Sequence, residues 1–438
     1  SSKEKAAPRE DKFIAQVETP VRQEVQPVKQ EEEPVVKEEK PVVRSDEASK
    51  RMKTFNFYGT PMTVEVGDLE RKLKFNGIEP QKVADAWTLC SKKQYTSLME
   101  DCLDLKDKYK LCDWAYLEMI KTLADGMYGE GSNESIFLTA YIYCQSGYRI
   151  RLGQSNNQLL MLYGSEHTIY NKPRFMMDGL CFYVLGENKS NSMYWIEACD
   201  KAINDKEQSL SLMIPEQPSL MAVESEKRVV ESDKYPEMRM EVSVNENLIE
   251  FFNNYPSSCL NSNPLTRWAM YANTPLAADV QAQIYPGLRK ALEGLSEEEK
   301  VCRLLSLIQP RSYNKPETSL VYGLDDQMWG HDRAFFAEET LFYPYSDCED
   351  HAILFSRLVR DLVGLPVALV YYSAPYSPPH LATAVRFNEP LKGENQDRLK
   401  MPNGDTFYIC DPTNYVPQPG VTMREMNNSK AQVMLLDT

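Results

Sequence analysis

A cysteine, a histidine and an aspartate follow one another in the last quarter of the chain, each in a different kind of local sequence. Cys348 comes at the start of an apolar helical pattern, His380 follows a proline-rich loop, and Asp411 follows a run of β-forming residues. A thiol, an imidazole that takes its proton and a carboxylate that orients the imidazole are the parts of a nucleophilic triad. This set of side chains predicts thiol-based acyl transfer.

The residues around Cys348 predict a helix that holds the thiol in its first turn. Apolar residues recur at spacings of three and four from Ala352 onward. Asp347 suits the N-cap, Asp350 suits the reciprocal capping position, and Gly364 marks the C-terminal end. The free amides of a first helical turn favour a thiolate, so position alone is expected to activate this cysteine, although the capping acids oppose the effect.

Three β-forming runs follow the predicted helix. They cover residues 367–372, 380–387 and 406–410, and we expect them to form neighbouring antiparallel strands that pack on the helix. His380 then begins the second strand and Asp411 lies just beyond the end of the third. A base at the start of one strand and an acid at the end of the next can be adjacent across a ladder, where the acid holds the imidazole in its active tautomer.

The stretch from about Glu339 to Thr413 resembles the core of the transglutaminase-like superfamily. The shared pattern is a cysteine at a helix start, a Gly-x-Pro helix end, a histidine that opens a strand and an Asp-Pro-Thr after the third strand. The sequence upstream is similar to exported bacterial members. The resemblance implies an α+β, papain-like core in which the cysteine helix packs on an antiparallel sheet, with Cys348, His380 and Asp411 as the catalytic triad.

The same resemblance implies cysteine-dependent acyl transfer through a thioester, without a cofactor. Peptide or amide hydrolysis by a cysteine peptidase or amidase is the expected outcome, with a protein or peptide substrate such as a cell-wall peptide. If an amine replaces water as the acceptor, the product is a cross-link and the protein is a transglutaminase. The alternative from a different class is a non-catalytic binding or scaffold protein built from transglutaminase-like folds.

An oxyanion hole would use the backbone amide of Cys348 and a second donor. The superfamily takes that donor from a side chain upstream, and Gln309 and Trp329 are the candidates by residue type. His351, one turn along the same helix, is the rival base. Cys348, His351 and His380 together leave a zinc site open, but no Cys-x-x-Cys pair supports it, so we expect no metal.

Composition predicts four segments along the chain. Residues 1–50 are dense in Glu, Lys, Pro and Val, which is typical of a disordered acidic linker. Residues 51–207 predict an N-terminal α+β domain, residues 208–245 a strand-rich connector, and residues 246–438 the transglutaminase-like catalytic domain.

The N-terminal domain is predicted to be a degenerate second copy of the same core. Residues 178–184 resemble the turn and strand at residues 403–409, and a helix with a following strand precedes them. Asn133 then stands near the position of the cysteine and Gly186 at that of the aspartate. Such a copy would lack the nucleophile and the acid.

The remaining cysteines and histidines are expected to take no part in the chemistry. Cys410 precedes Asp411 and, by strand alternation, faces the core. His167 and His331 are expected at the surface or in loops. The ten cysteines are irregularly spaced, so no disulfide scaffold is predicted, while one or two disulfides stay open.

Charge and hydropathy limit the binding partners and the location that we expect for the protein. A net charge of −15 over 438 residues argues against binding to nucleic acid or to anionic membrane surfaces. No apolar run is long enough to cross a bilayer. The chain begins without Met, which together with the resemblance leads us to expect an exported protein, periplasmic or at the cell surface, whose signal peptide is absent from this sequence.

Overall fold

The computed structural model describes residues 17–18, 51–186, 193–309, 321–322, 333–373 and 379–438. The described residues form two compact units. The N-terminal unit ends at Ser211, and the C-terminal unit contains Leu212–Thr438, Thr168–Tyr170 and residues 17–18. Both units combine helices with largely antiparallel sheets, which confirms the predicted α+β class.

The helices, in chain order, are α1 Leu69–Lys72, α2 Pro80–Cys90, α3 Thr96–Lys108, α4 Asp113–Tyr128, α5 Asn133–Gln145, α6 Asp200–Asn204, α7 Glu246–Asn253, α8 Leu265–Asn273, α9 Ala278–Leu292, α10 Glu297–Ile308, α11 Ala337–Phe342 and α12 Cys348–Leu362. The strands are β1 Val17–Glu18, β2 Met52–Phe57, β3 Thr60–Glu65, β4 Ile150–Ser155, β5 Gln158–Ser165, β6 Thr168–Ile169, β7 Arg174–Met177, β8 Leu180–Val184, β9 Tyr194–Trp195, β10 Arg228–Glu231, β11 Arg239–Val242, β12 Ser258–Cys259, β13 Val321–Tyr322, β14 Tyr345–Ser346, β15 Val367–Tyr372, β16 His380–Val385, β17 Arg398–Lys400, β18 Thr406–Cys410 and β19 Gln432–Leu435.

The main sheet of the C-terminal unit has the strand order β1-β19-β15-β16-β18-β17, and every pair except β1–β19 is antiparallel. Helix α12 packs on β15 and β16 with one face and against α8, α10 and α11 with others. This explains why most of its side chains are buried, including polar ones. The register pairs Tyr372 with His380 and Thr383 with Cys410, which brings Asp411 back towards the start of β16.

The N-terminal unit contains a five-stranded antiparallel sheet of order β7-β8-β5-β4-β9, with α5 packed against it. Helix α5 begins where Ser132 Oγ accepts a hydrogen bond from Ser135 N at 3.1 Å. It ends before Gly147, whose φ of 107° favours glycine. Leu160, Leu162 and Phe182 form part of a buried cluster on the sheet.

The two units share one order of elements. The series α5, β4, β5, β7, β8, β9 corresponds to the series α12, β15, β16, β17, β18, β19, and both sheets place these strands in the same order. Gly147 and Gly364 each have positive φ and each precede the first strand by three residues. The described part of the N-terminal unit therefore repeats the plan of the cysteine-bearing unit.

The boundaries differ from the predicted segments. The predicted connector, residues 208–245, is divided at Ser211, and its hairpin β10–β11 belongs to the C-terminal unit. Val230 and Met240 are buried there, and Ser232 Oγ lies 2.6 Å from Ser306 Oγ of α10. Within the segment predicted as a disordered linker, Val17–Glu18 pairs in parallel with β19, and the rest of residues 1–50 lies outside the described residues.

All ten cysteines are free thiols, in line with the prediction that no disulfide scaffold exists. Within the described ranges, no helix is both long and apolar enough to cross a membrane.

Candidate active site

Cys348 is the first residue of α12, as predicted, and its helix start is fixed by a reciprocal cap in which Asp347 N donates to Asp350 Oδ2 at 3.1 Å. The half-buried sulfur lies against the start of β16, where the backbone amide of Leu381 faces it and favours its thiolate form. The thiol thus contacts the residue that directly follows His380.

His380 and Asp411 form a buried pair with 2.7 Å between Nε2 and Oδ2. Thr413 N donates to the other carboxylate oxygen at 3.0 Å, which fixes the plane of the carboxylate. The Tyr372 ring stacks on the imidazole at 6.2 Å between ring centroids. Because Nε2 is held by the carboxylate, Nδ1 is the nitrogen that remains for proton exchange with a thiol.

The resting thiol is protonated and turned towards a neighbouring carboxylate. Cys348 Sγ donates to Glu349 Oε2 at 3.3 Å, and no hydrogen bond joins it to His380 among the described residues. Burial raises the thiol pKa well above its ordinary value, the charges of Glu349 and Asp347 raise it further, and the Leu381 amide opposes them. The expectation that the helix start alone activates the thiol is therefore wrong, because burial and two carboxylates outweigh the amides.

Replacing Glu349 with glutamine should make Cys348 more reactive at neutral pH. The substitution keeps an oxygen acceptor beside the sulfur but removes a negative charge, so the thiol pKa falls. The rate of alkylation of Cys348 by iodoacetamide, followed by peptide mass spectrometry from pH 6 to 10, should shift to lower pH. The matched control is Glu338→Gln, which removes a buried carboxylate elsewhere in the same unit. An unchanged profile in Glu349→Gln would show that this charge does not govern the thiol.

His351, predicted as a rival base, cannot take that part because both of its ring nitrogens are occupied. Nε2 lies 2.8 Å from Ser346 Oγ and Nδ1 lies 3.0 Å from Thr413 Oγ1. Burial lowers its pKa to about 3, so the ring is neutral. Because these two hydrogen bonds occupy its ring nitrogens, His351 is not available as a ligand in the zinc site that the sequence left open. In the described part of the chain, the group of side chains close enough to share a metal is Asp347, Cys348 and Glu349, which contains neither histidine.

The structure places one of the two oxyanion candidates, Gln309, against the loop that follows Asp411. Gln309 directly follows α10, and its Nε2 donates to the carbonyl of Asn414 at 3.0 Å, in the loop after Asp411. Its donor is engaged with that loop, and its role as an oxyanion donor stays a prediction. Trp329 lies outside the described residues.

Two further expectations have different outcomes. Cys410 is fully buried and burial raises its thiol pKa well above the ordinary value, as expected for a core thiol. His167 is buried rather than superficial, and desolvation lowers its pKa to about 4. His167 does lie in a loop, between β5 and β6, but the loop position does not leave its side chain exposed. His331 lies outside the described residues.

The N-terminal unit carries an amide pair at the positions that the thiol and imidazole occupy in the C-terminal unit. Asn133 begins α5 as Cys348 begins α12, and Gln158 begins β5 as His380 begins β16. Asn133 Oδ1 accepts from Leu159 N at 2.8 Å and from Gln158 Nε2 at 2.9 Å. The amide of Leu159 therefore faces Asn133 as the amide of Leu381 faces the sulfur of Cys348.

Strand register extends the comparison to the third position. Val184 pairs with Leu162, and Leu185 N donates to Met161 O at 2.9 Å. Measured from the first residue of the central strand, which is β5 in the N-terminal unit and β16 in the C-terminal unit, Gly186 lies at the register position that Asp411 holds. The sequence pointed to Asn133 and Gly186 but missed Gln158, which is recognisable only once the strand that it begins is known.

No family model, no curated protein and no solved structure matches this chain.

Proposed function

We propose that this protein is a transglutaminase-like cysteine enzyme that hydrolyses a peptide or amide bond through Cys348, His380 and Asp411. The observation that supports this most is the buried bond between His380 Nε2 and Asp411 Oδ2, beside Leu381, whose backbone amide favours the thiolate of Cys348. Cys348, His380 and Asp411 come from three separate elements of the C-terminal unit. Structural packing alone does not require this combination of side chains.

The proposed reaction begins when the thiol of Cys348 turns from Glu349 and gives its proton to Nδ1 of His380. The sulfur then attacks the carbonyl carbon, and the first-turn amides of α12 face the negative charge that develops on the oxygen. The imidazolium returns the proton to the leaving amine, and a thioester remains. Water attacks the thioester while His380 takes its proton, and the thiol is restored as the acid leaves. The carboxylate of Asp411 stabilises the imidazolium.

The second candidate function is a non-catalytic binding or scaffold protein. The amide pair Asn133–Gln158 favours it for the N-terminal unit, because the same plan persists there without a nucleophile. The raised pKa of the Cys348 thiol would also suit an inactive C-terminal unit. Cross-linking is the third outcome and differs from hydrolysis only in the acceptor of the second step.

The test is acylation by p-nitrophenyl acetate, which transfers an acetyl group to a reactive thiol and releases nitrophenolate. We expect a burst of nitrophenolate with the acetyl group on Cys348, and a fall of about 100-fold or more in the burst rate in His380→Ala. Cys302→Ser is the matched control, since Cys302 is a half-buried thiol of the same unit outside the site. Equal bursts in the wild type, Cys348→Ser and His380→Ala would support the scaffold function. Adding a primary amine then separates transfer from hydrolysis by the amide formed.

A further inference from the structure

His351 connects the helix that carries the nucleophile to the loop that carries the acid. Its ring lies within α12, three residues after Cys348, and bonds to Ser346 before the helix and to Thr413 after β18. These partners come from parts of the chain separated by more than sixty residues. We propose that His351 is a positioning residue that holds the acid loop against the cysteine helix and so keeps Asp411 on His380. This inference rests on the proposed function.

An unbroken series of hydrogen bonds supports the proposal. His351 Nδ1 is 3.0 Å from Thr413 Oγ1, Thr413 N donates to Asp411 Oδ1 at 3.0 Å, and Asp411 Oδ2 is 2.7 Å from His380 Nε2. Displacing Thr413 would release one oxygen of the carboxylate and let it rotate away from the base. When a catalytic base is misplaced by about 1 Å, the reaction rate can fall on the order of 100-fold.

The surroundings of His351 keep the ring neutral and fixed. The side chain is fully buried, and its Nε2 bond to Ser346 Oγ at 2.8 Å fixes the ring from the other side. Burial is the main cause that lowers the pKa of His351, and the neighbouring His380 and Arg228 oppose its protonation further. Its two hydrogen bonds therefore persist over the pH range in which a thiol and an imidazole exchange a proton.

The N-terminal unit shows that the fold does not require this histidine. The position that corresponds to His351, three residues into the helix, is Ile136 in α5. That unit forms the same helix and strand order with an apolar, half-buried side chain there. The histidine is thus present in the unit that has a nucleophile and base, and replaced in the unit where Asn133 and Gln158 take their places.

The experiment compares substitutions that each retain one of the two bonds. In His351→Asn the amide group reaches the place of Nδ1 and can bond Thr413, whereas in His351→Gln it reaches the place of Nε2 and can bond Ser346. Thr413→Val removes the hydroxyl but keeps the backbone amide on Asp411. The readouts are the nitrophenolate burst rate, its pH profile and the melting temperature. His167→Asn, which alters a buried neutral histidine of the N-terminal unit, is the matched control.

We expect His351→Gln and Thr413→Val to lower the burst rate about 10- to 100-fold, as substitutions of orienting partners do elsewhere, and to bring its pH profile towards that of His380→Ala. His351→Asn should rescue the burst although it destabilises the protein about as much as His351→Gln. A burst rate that falls equally in both His351 variants, or that is unchanged in Thr413→Val, would overturn the proposal. Thr413→Val decides alone if the histidine variants do not fold. A wild type without a His380-dependent burst would instead refute the proposed function.

Discussion

Alanine at position 411 is expected to lower the nitrophenolate burst rate by about two to four orders of magnitude, since removal of the orienting acid of a triad has effects of that size. Asp411 is the only group within hydrogen-bonding distance of His380 Nε2 among the described residues. Without Asp411 the imidazole is no longer held in the tautomer that accepts the thiol proton at Nδ1. The imidazolium formed in the first step also loses the carboxylate that balances its charge. The burst rate at saturating p-nitrophenyl acetate measures the effect directly.

Asp411→Asn is the matched variant. It keeps an oxygen that can accept from Thr413 N and a group that can contact Nε2, and papain-like enzymes use asparagine in this role. We therefore expect a smaller loss than with alanine. Equal losses in both variants would mean that the charge, and not the orientation, is what the acid supplies; no loss in either would remove Asp411 from the mechanism.

Phe336→Ala should reduce the free energy of unfolding of the C-terminal unit by about 3–5 kcal/mol, the usual effect of deleting a fully buried phenylalanine. The ring is stacked between Phe252 at 4.2 Å and Tyr271 at 3.9 Å, measured between centroids, and meets Tyr255 edge-on at 5.5 Å. Phe336 directly precedes α11, which packs on α12. The loss includes both burial and the aromatic contacts.

The measurement is urea unfolding read from the exposure of the buried Cys410 thiol, so that the transition reports on the C-terminal unit. A lower midpoint with an unchanged slope would give the change in stability. Phe342→Ala is the control, because Phe342 lies at the other end of α11 and is only half-buried. Its effect should be clearly smaller. Equal effects of the two substitutions would show that the stacked cluster adds no stability of its own.

The parts of the site that sequence could predict are those set by local rules. The apolar spacing and the acids at 347 and 350 define α12 and its cap, and both are present. Alternating and β-branched residues define β15, β16 and β18. They predict that His380 begins one strand and that Asp411 directly follows another. Residue types at element boundaries were enough to nominate the triad.

The electrostatics of the site could not be predicted in the same way. The pKa of the Cys348 thiol depends on how deeply the neighbouring helices cover α12 and on the rotamer that brings Glu349 Oε2 to 3.3 Å from the sulfur. Both follow from packing over long sequence separations. The bonds of His351 to Thr413 and of Gln309 to Asn414 have the same origin. From sequence alone, a histidine one helical turn from a cysteine is interpreted as a base, because its distant hydrogen-bond partners are not known.

The backbone amide that follows the first residue of the central strand faces the first residue of the helix in both units. The Leu381 amide faces the thiol of Cys348, a weak acceptor, and the Leu159 amide donates to the carboxamide of Asn133 at 2.8 Å, a stronger one. A unit of this plan can therefore begin its helix with either side chain without leaving a buried backbone donor unpaired, which would otherwise cost about 1–3 kcal/mol. At this position the folding of the unit is separable from the chemistry of the side chain that begins the helix.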